Sequence, residues 1–434
     1  MIALERRESM IVPFIFTMLT FNEAPYLWAF NKFLDFSKQN AWPLIAQEIY
    51  FNKYPSVFAR EGNRVSIDKT FVEENLGYKL PKDEDLKKIK KYIIPQSLLE
   101  KLILEKGSIS NAFCYLLTER YEPLEDLLEK YFKDIIETFK EPIEAIITLC
   151  HYPSLSRVAE KNNIKIIHFE QGTFRYPTYI NTAFLDFDNL YGGTTIATRW
   201  KDFQLEATCR ITPIFSKREI LATFLKTENL NNFERLNIRP TKKMGIALGY
   251  AVWELFSCKT HYNDSELLYR VRKKVGSDQM LVRKHPGDPY GAQYGAYAAQ
   301  MDNPKRSTIE FILSCENITT LGSNVAIEAM LLGRGAHVIV PCPSQFAAAK
   351  TIEEEGKCAC DEFLSFFVFG YLVPFEFLSD VEYLRWRLTG PSEREVYFRH
   401  LDYYFNKKGI PTDLIFQPGK DRLKKMLMAQ GYTS

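Results

Sequence analysis

The chain lacks any long hydrophobic run: no stretch approaches the roughly 18 uninterrupted apolar residues that cross a bilayer as a helix, and a membrane-spanning reading is excluded. The apolar start IVPFIFTML follows Glu5, Arg6, Arg7 and Glu8 and runs into TFNEAPY, so it reads as a first buried strand and not as a signal peptide. Net charge is nearly absent, with 56 Lys plus Arg against 54 Asp plus Glu. So weak a field excludes a dedicated nucleic-acid binder. Cysteine is sparse: eight residues are scattered, and the one close pair, Cys358 and Cys360, has no second pair to complete a zinc site. They read as reduced thiols of a cytoplasmic protein. No D-x-D pair sits at a convincing strand end. Asp186 and Asp188 in FLDFDNLYGG are the close candidates and read as structural, so no metal and no cofactor is expected. Low-complexity segments and short-period repeats are also missing.

What is present is a soluble globular composition, 46% hydrophobic and 25% charged, long enough at 434 residues for two domains. Aromatics at 14% suit contact with a sugar or a membrane face, and equally suit ordinary packing. After the opening strand, PYLWAFNKFLDFSKQ reads as a helix, and the charged stretch from Lys79 to Lys140 reads as helical throughout. EAIITLC, SLSRVAEKNN and IKIIHFEQG then form a strand, helix, strand unit. The polar segment TENLNNFERLNIRPTKK marks a boundary. Beyond it the alternation repeats: MGIALGY, DSELLYRVRKKVG, QMLVRKH, TIEFILSC, ITTLG, VAIEAMLLG, AHVIVP. Strands separated by such helices imply parallel sheets with right-handed crossovers. The expected organisation is α/β: a Rossmann-like domain over 1–235 with a helical insertion, a second over 236–385, the two facing across a cleft, and C-terminal helices over 386–434 packing back.

Ligands bind outside the carboxyl ends of strands in such sheets. Four strand ends carry polar groups that patterning does not need: EQGTFR, YAVWE, RKHPGD and GSNVAIEA. In the last, Gly322, Ser323 and Asn324 lead into a helix whose free N–H groups suit a phosphate, although a Ser-Asn pair at a helix start is also a plain cap. Glu328, one turn further, can accept two hydroxyls of a ribose. His285 lies beside Arg283 and Lys284, with Pro286 holding the backbone extended. A histidine there can donate to a phosphate oxygen or protonate a leaving phosphate, or simply close a strand. Glu170 emerges from an apolar strand before Gln171 and Gly172, where a partly desolvated carboxylate serves as a general base and glycine lets a ligand approach. The plain alternative is an ion pair with Arg175. Glu254 is the one acid between Met244 and Tyr262. Two carboxylates and a phosphate site are the parts of a glycosyl-transfer centre.

In this order and spacing, EQGTFR, GYAVWE, RKHPGD and GSNVAIEAMLLG resemble the motifs of the bacterial capsule-synthesis β-Kdo transferases (KpsC-like), over roughly 160–350. An acidic motif ending in Gly paired with His-Pro is also similar to bacterial sialyltransferases that use CMP-sialic acid. The resemblance implies a GT-B architecture and a glycosyltransferase that moves Kdo or a related nonulosonic acid from a CMP-sugar to a surface-polysaccharide or glycolipid acceptor. It gives Glu170 the acid/base place, sets His285 and Ser323 on the CMP phosphate and Glu328 near the ribose, and aligns Glu254 with the Asp nucleophile of a retaining double displacement. Gln171, Gly172, Arg175, Arg283, Lys284, Pro286, Gly322 and Asn324 complete the donor-binding set. Arg283 stands where the family has Lys, exchanging a point charge for a fork. Tyr250 and Trp253 replace the family's Gln and first Asp. Two other readings stand beside this one, a non-catalytic GT-B-like component of a polysaccharide assembly complex and a GT-B enzyme using a UDP-sugar. The expected place is the cytoplasm, with peripheral contact to the inner membrane left open.

Overall fold

The computed structural model of the chain describes residues 9–16, 27–52, 83–176, 178–209, 212–226, 236, 238–248, 263–284, 300–407, 428 and 431. They fall into two compact units, Met1–Glu170 with Asp186–Leu190, and Gln171–Leu185 with Tyr191–Ser434.

In the first unit, β1 (Met10–Ile15), β2 (Leu44–Gln47), β3 (Lys91–Ile94), β4 (Ile143–Thr148) and β5 (Lys165–Gln171) lie in the order β5-β4-β1-β2-β3. All their pairings are parallel. Every residue of β1, MIVPFI, is buried, as expected of a central strand covered on both faces. The register sets Phe14 beside Ile45 on one side and Ile11 beside Ala145 on the other. The helix Glu122–Phe139 buries Leu124, Leu128, Phe132 and Ile135 along one stripe.

The reading of 79–140 as helical throughout is corrected at Lys91–Ile94, which forms β3 at the sheet edge, with Ile45 beside Tyr92. Aromatic and β-branched Tyr92, Ile93 and Ile94 favour the extended chain. Pro95 continues it at ψ 143, and the helix begins only at Gln96. Gly107, at φ 79, closes that helix in the left-handed conformation.

The second unit contains β7 (Lys242–Ala247), β8 (Met280–Arg283), β9 (Gln300–Met301), β10 (Cys315–Thr320) and β11 (Gly335–Val338), ordered β11-β10-β7-β8-β9 and parallel throughout. In both units the chain starts on the middle strand, winds out to one edge, returns past its start and winds to the other. That is the Rossmann-like order, and two such halves in one chain make up a GT-B fold. Gly245 in β7 lets the sheet close: a Cβ there would stand 2.7 Å from Ile318 Cδ1 and 2.8 Å from Cys315 Sγ.

The second unit also holds the antiparallel pair β6 (Thr182–Asp186) and β12 (Leu372–Pro374). A layer of aromatic rings packs among the helices Ile196–Cys209, Asp361–Phe366 and Glu393–Asp402. Phe203 meets Phe366 and Tyr397 at 5.1 Å, and Trp200 meets Phe366 at 5.3 Å. The helix Glu393–Asp402 packs onto the helix Ile196–Cys209 from much earlier in the sequence, and most of 408–434 lies outside the described residues. Arg199 fixes the contact from within: its Nε bonds Glu393 Oε1 at 2.8 Å and its Nη2 donates to the Gly370 carbonyl at 3.0 Å. No helix among the described residues is long and apolar enough to cross a membrane.

Candidate functional site

In a Rossmann-like sheet the crevice opens where the strand order reverses. In the second unit that point lies between the carboxyl ends of β7 and β10. The chain leaves β10 through Leu321, Gly322 and Ser323 and enters the helix Val325–Leu331, which carries Glu328 on its inner face. Ser323 turns this corner with its own groups: its N–H donates to Thr320 Oγ1 at 3.1 Å, and its hydroxyl accepts from the Val325 N–H at 3.4 Å. Gly322 is buried, its carbonyl facing Cys342 Sγ. The Asn324 side chain makes no cap bond, and its amide reaches the Gln171 carbonyl at 3.5 Å.

Glu328 is 7% exposed. Burial pushes its carboxyl up to about 7, held back by the hydrogen bond from Tyr179 and by the positive fields of Arg175 and Arg283. The Tyr179 hydroxyl donates to Glu328 Oε2 at 2.9 Å. A carboxyl poised there exchanges its proton near neutrality and, when ionised, accepts from a vicinal diol.

Tyr179 escapes sequence reasoning because nothing local distinguishes it among the aromatics of FRYPTY. It reaches Glu328 through the turn between β5 and β6, which is tightly built. Gly172 donates its N–H to the Thr182 carbonyl at 2.8 Å, and Thr182 returns its own to Phe174 at 3.0 Å. A Cβ on Gly172 would sit 2.3 Å from Thr182 Oγ1 and 2.8 Å from the Thr182 carbonyl carbon. The open side of this glycine is therefore filled by the chain itself. Arg175 folds back on the turn, its Nε on the Gly172 carbonyl at 3.0 Å and its Nη2 on the Gln171 carbonyl at 3.3 Å. The far side of the turn is tied to the end of the helix Lys217–Phe224: Ile180 N–H donates to the Phe224 carbonyl, and Phe174 stacks on Phe224 at 4.4 Å.

Arg283 ends β8 with its fork occupied. Nη1 pairs with Asp302 at 2.5 Å and Nη2 donates to the Arg306 carbonyl at 2.9 Å. Arg306 holds the other oxygen of Asp302 at 3.1 Å. Lys284 beside it is exposed. The structure thus brings Gln171, Arg175, Asn324 and Glu328 together within one unit, with Arg283 close enough to act on Glu328 by its charge. Glu254, His285 and Pro286, with Tyr250 and Trp253, lie outside the described residues.

Glu170 belongs to the first unit, half-buried on β5. Strand alternation puts it on the same face as His168, whose ring is 5.6 Å from that of His151. Burial, with His151 adding to it, holds His168 down at about 3, so it is neutral. The Cys150 thiol is pushed up to about 12, mainly by burial, with the Glu170 charge adding to it. Asp186 accepts from the Asp188 N–H at 2.9 Å, and no cluster of His, Cys, Asp and Glu fit for a metal occurs among the described residues.

Among solved structures the chain is similar to KpsC of Thermosulfurimonas dismutans, a β-Kdo 2,7 transferase, at 13% identity and TM-score 0.35 over 60% of this chain and 90% of that one. The KpsC β-Kdo 2,4 transferase of the same organism matches at 11% identity and TM-score 0.32, over 57% of this chain and 88% of that one. A UDP-GlcNAc 2-epimerase of Methanocaldococcus jannaschii matches at 12% identity and TM-score 0.25, over 79% of this chain and 92% of that one. No curated protein matches the sequence. Residues 13–195 match the model of the glycosyltransferase 99 family N-terminal domain, and the class which that match supports is glycosyltransferase.

Proposed function

We propose that this protein transfers Kdo or a related acidic nonulosonic sugar from a CMP-sugar to a surface-polysaccharide or glycolipid acceptor. The observation that carries the reading is Glu328: a buried carboxylate on the helix that follows β10 in a Rossmann-like sheet, held by Tyr179. Such a carboxylate suits the two hydroxyls of a ribose. The glycosyltransferase match over residues 13–195 and the ordered motifs around Glu170, Glu254, His285 and Ser323 support a nucleotide-sugar over other nucleotides. In this scheme Glu170 is the acid/base, His285 and Ser323 contact the donor phosphate, and Glu254 attacks the anomeric carbon in a retaining double displacement.

The test is a panel of CMP-sugars and UDP-sugars with thermal shift and product analysis. The expected result is stabilisation by CMP over UDP, and turnover of a CMP-linked acidic sugar that is lost in Glu170→Ala and His285→Ala. Intact mass under turnover should show a sugar adduct that Glu254→Gln abolishes. Preference for UDP, or product of inverted configuration with no adduct, overturns the donor or the retaining step respectively.

A further inference from the structure

We propose that Tyr179 is a positioning residue for the donor nucleotide: by binding Oε2 of Glu328 it turns Oε1 toward the ribose diol and keeps the carboxylate in its accepting form. This rests on the nucleotide-sugar reading above and extends it to a residue outside the four motifs.

The geometry has three parts. Tyr179 and Glu328 are both buried and bonded at 2.9 Å across 149 positions of sequence. The tyrosine is not free to leave, because its N–H donates to the Arg175 carbonyl at 2.9 Å, its backbone bridges Leu225, and its ring packs on Phe174 at 5.1 Å. The turn is also tied to the start of the Glu328 helix by Asn324 on the Gln171 carbonyl. One turn thus presents a donor to the carboxylate and takes its alignment from the helix that bears it. A hydroxyl that donates to an ionised acceptor favours the ionised form. A carboxylate bonded to a diol must be ionised to accept both hydrogens.

Charged groups act on Glu328 from two sides: Arg175 on the turn and Arg283 at the end of β8. The other elements packed against the helix carry Lys217, Arg218 and Glu219, Glu310, Glu316, and His337. Burial raises the carboxyl while Tyr179, Arg175 and Arg283 oppose that rise. Nucleotide affinity that needs the carboxylate falls about tenfold per pH unit below the titration. Tyr179→Phe keeps the ring and removes the donor, so the titration moves to higher pH by about one unit.

The experiment follows CMP affinity by calorimetry from pH 5.5 to 9.5 in the wild type, Tyr179→Phe and Glu328→Gln. The protonated carboxylic acid of Glu328 is followed in parallel by infrared difference spectroscopy. The expected result is a wild-type midpoint near 7 and a Tyr179→Phe midpoint about one unit higher in both measurements, an affinity in Tyr179→Phe that stays about threefold to tenfold below wild type at pH 9.5 because the carboxylate has lost its alignment, and in Glu328→Gln only the pH dependence that the CMP phosphate and His285 carry. A merely structural tyrosine lowers affinity equally at every pH and leaves the infrared midpoint in place, and that result overturns the inference. Should Tyr179→Phe fail to fold, a CMP affinity in Glu328→Gln that keeps the wild-type pH profile overturns it as well. A wild type that binds no nucleotide at any pH overturns the nucleotide reading itself, a different outcome from bound CMP with an unmoved midpoint.

Discussion

Replacing Glu328 by Gln should make the protein more stable above neutrality, and the structure fixes both the size and the sign. The carboxyl moves from its ordinary 4.5 to about 7 in the folded chain. Between those values the folded state holds a proton that the unfolded chain has released. Stability therefore falls as pH rises from about 4.5 to about 7 and stays at the lower level beyond. At about 1.4 kcal/mol per pH unit, the ionised carboxylate costs the fold about 3 kcal/mol at pH 8. Gln has the same shape and can still accept from the Tyr179 hydroxyl, so the substitution removes the charge and little else. The assay is urea unfolding at pH 4, 6 and 8. The variant is expected to match the wild type at pH 4 and to exceed it by about 3 kcal/mol at pH 8. Equal stability at pH 8, or a difference that does not change with pH, refutes the buried charge as the origin. Under the proposed function, that cost is the cost of holding a charged acceptor ready for the ribose hydroxyls.

Gly172→Ala should cost about 3 kcal/mol in urea unfolding, from about 1–3 for overpacking against Thr182 and about 1 for each turn hydrogen bond lost; CMP affinity should fall with it. If that glycine instead makes room for a ligand, affinity drops and stability stays. Arg199→Met should lower stability by about 3–5 kcal/mol by leaving Glu393 buried without its partner, and the double variant with Glu393→Leu should recover most of that loss in thermal unfolding. His168 is neutral and titrates at about 3 in the folded chain against an ordinary 6.5. The unfolded chain therefore takes up its proton first, and stability is lost as pH falls below about 6.5. In a Glu328→Gln background, which removes the opposing carboxyl, His168→Asn should flatten that acid limb by one proton; an unchanged slope counts against a buried neutral imidazole.

The second sheet was legible because its strands, MGIALGY, QMLVRKH, ITTLG and AHVIVP, are apolar runs separated by amphipathic helices with plain caps. The Asn263 and Ser307 side chains receive helix N–H groups where the pattern begins. β3 reads as helix because its four residues continue the lysine run of LKKIKK and lead within two residues into an amphipathic helix, and only pairing with β2 settles them as strand. β6 and β12 are an antiparallel pair of five and three residues, too short to stand out from the turns beside them. At the site, Glu328 was visible as a carboxylate one turn inside a helix after a Gly-Ser-Asn corner. Tyr179 was not, because its significance lies in a contact far along the chain. Gly172 reads in sequence as room for a ligand, and in the structure Thr182 lies against it.

The stack of Phe174 on Phe224 continues inward: Phe224 meets Phe369 at 5.7 Å, and Phe369 meets Phe215 at 4.8 Å. The turn that carries Tyr179 is thus an outgrowth of a packed aromatic interior rather than a surface loop. Fixing a residue's backbone takes about 1–2 kcal/mol of entropy, and here that ordering is complete once the chain has folded. Under the proposed function, a nucleotide at Glu328 meets an acceptor already oriented, so its binding should carry little conformational entropy loss on the protein's side, and discrimination among sugars should fall to whatever lies beyond the ribose.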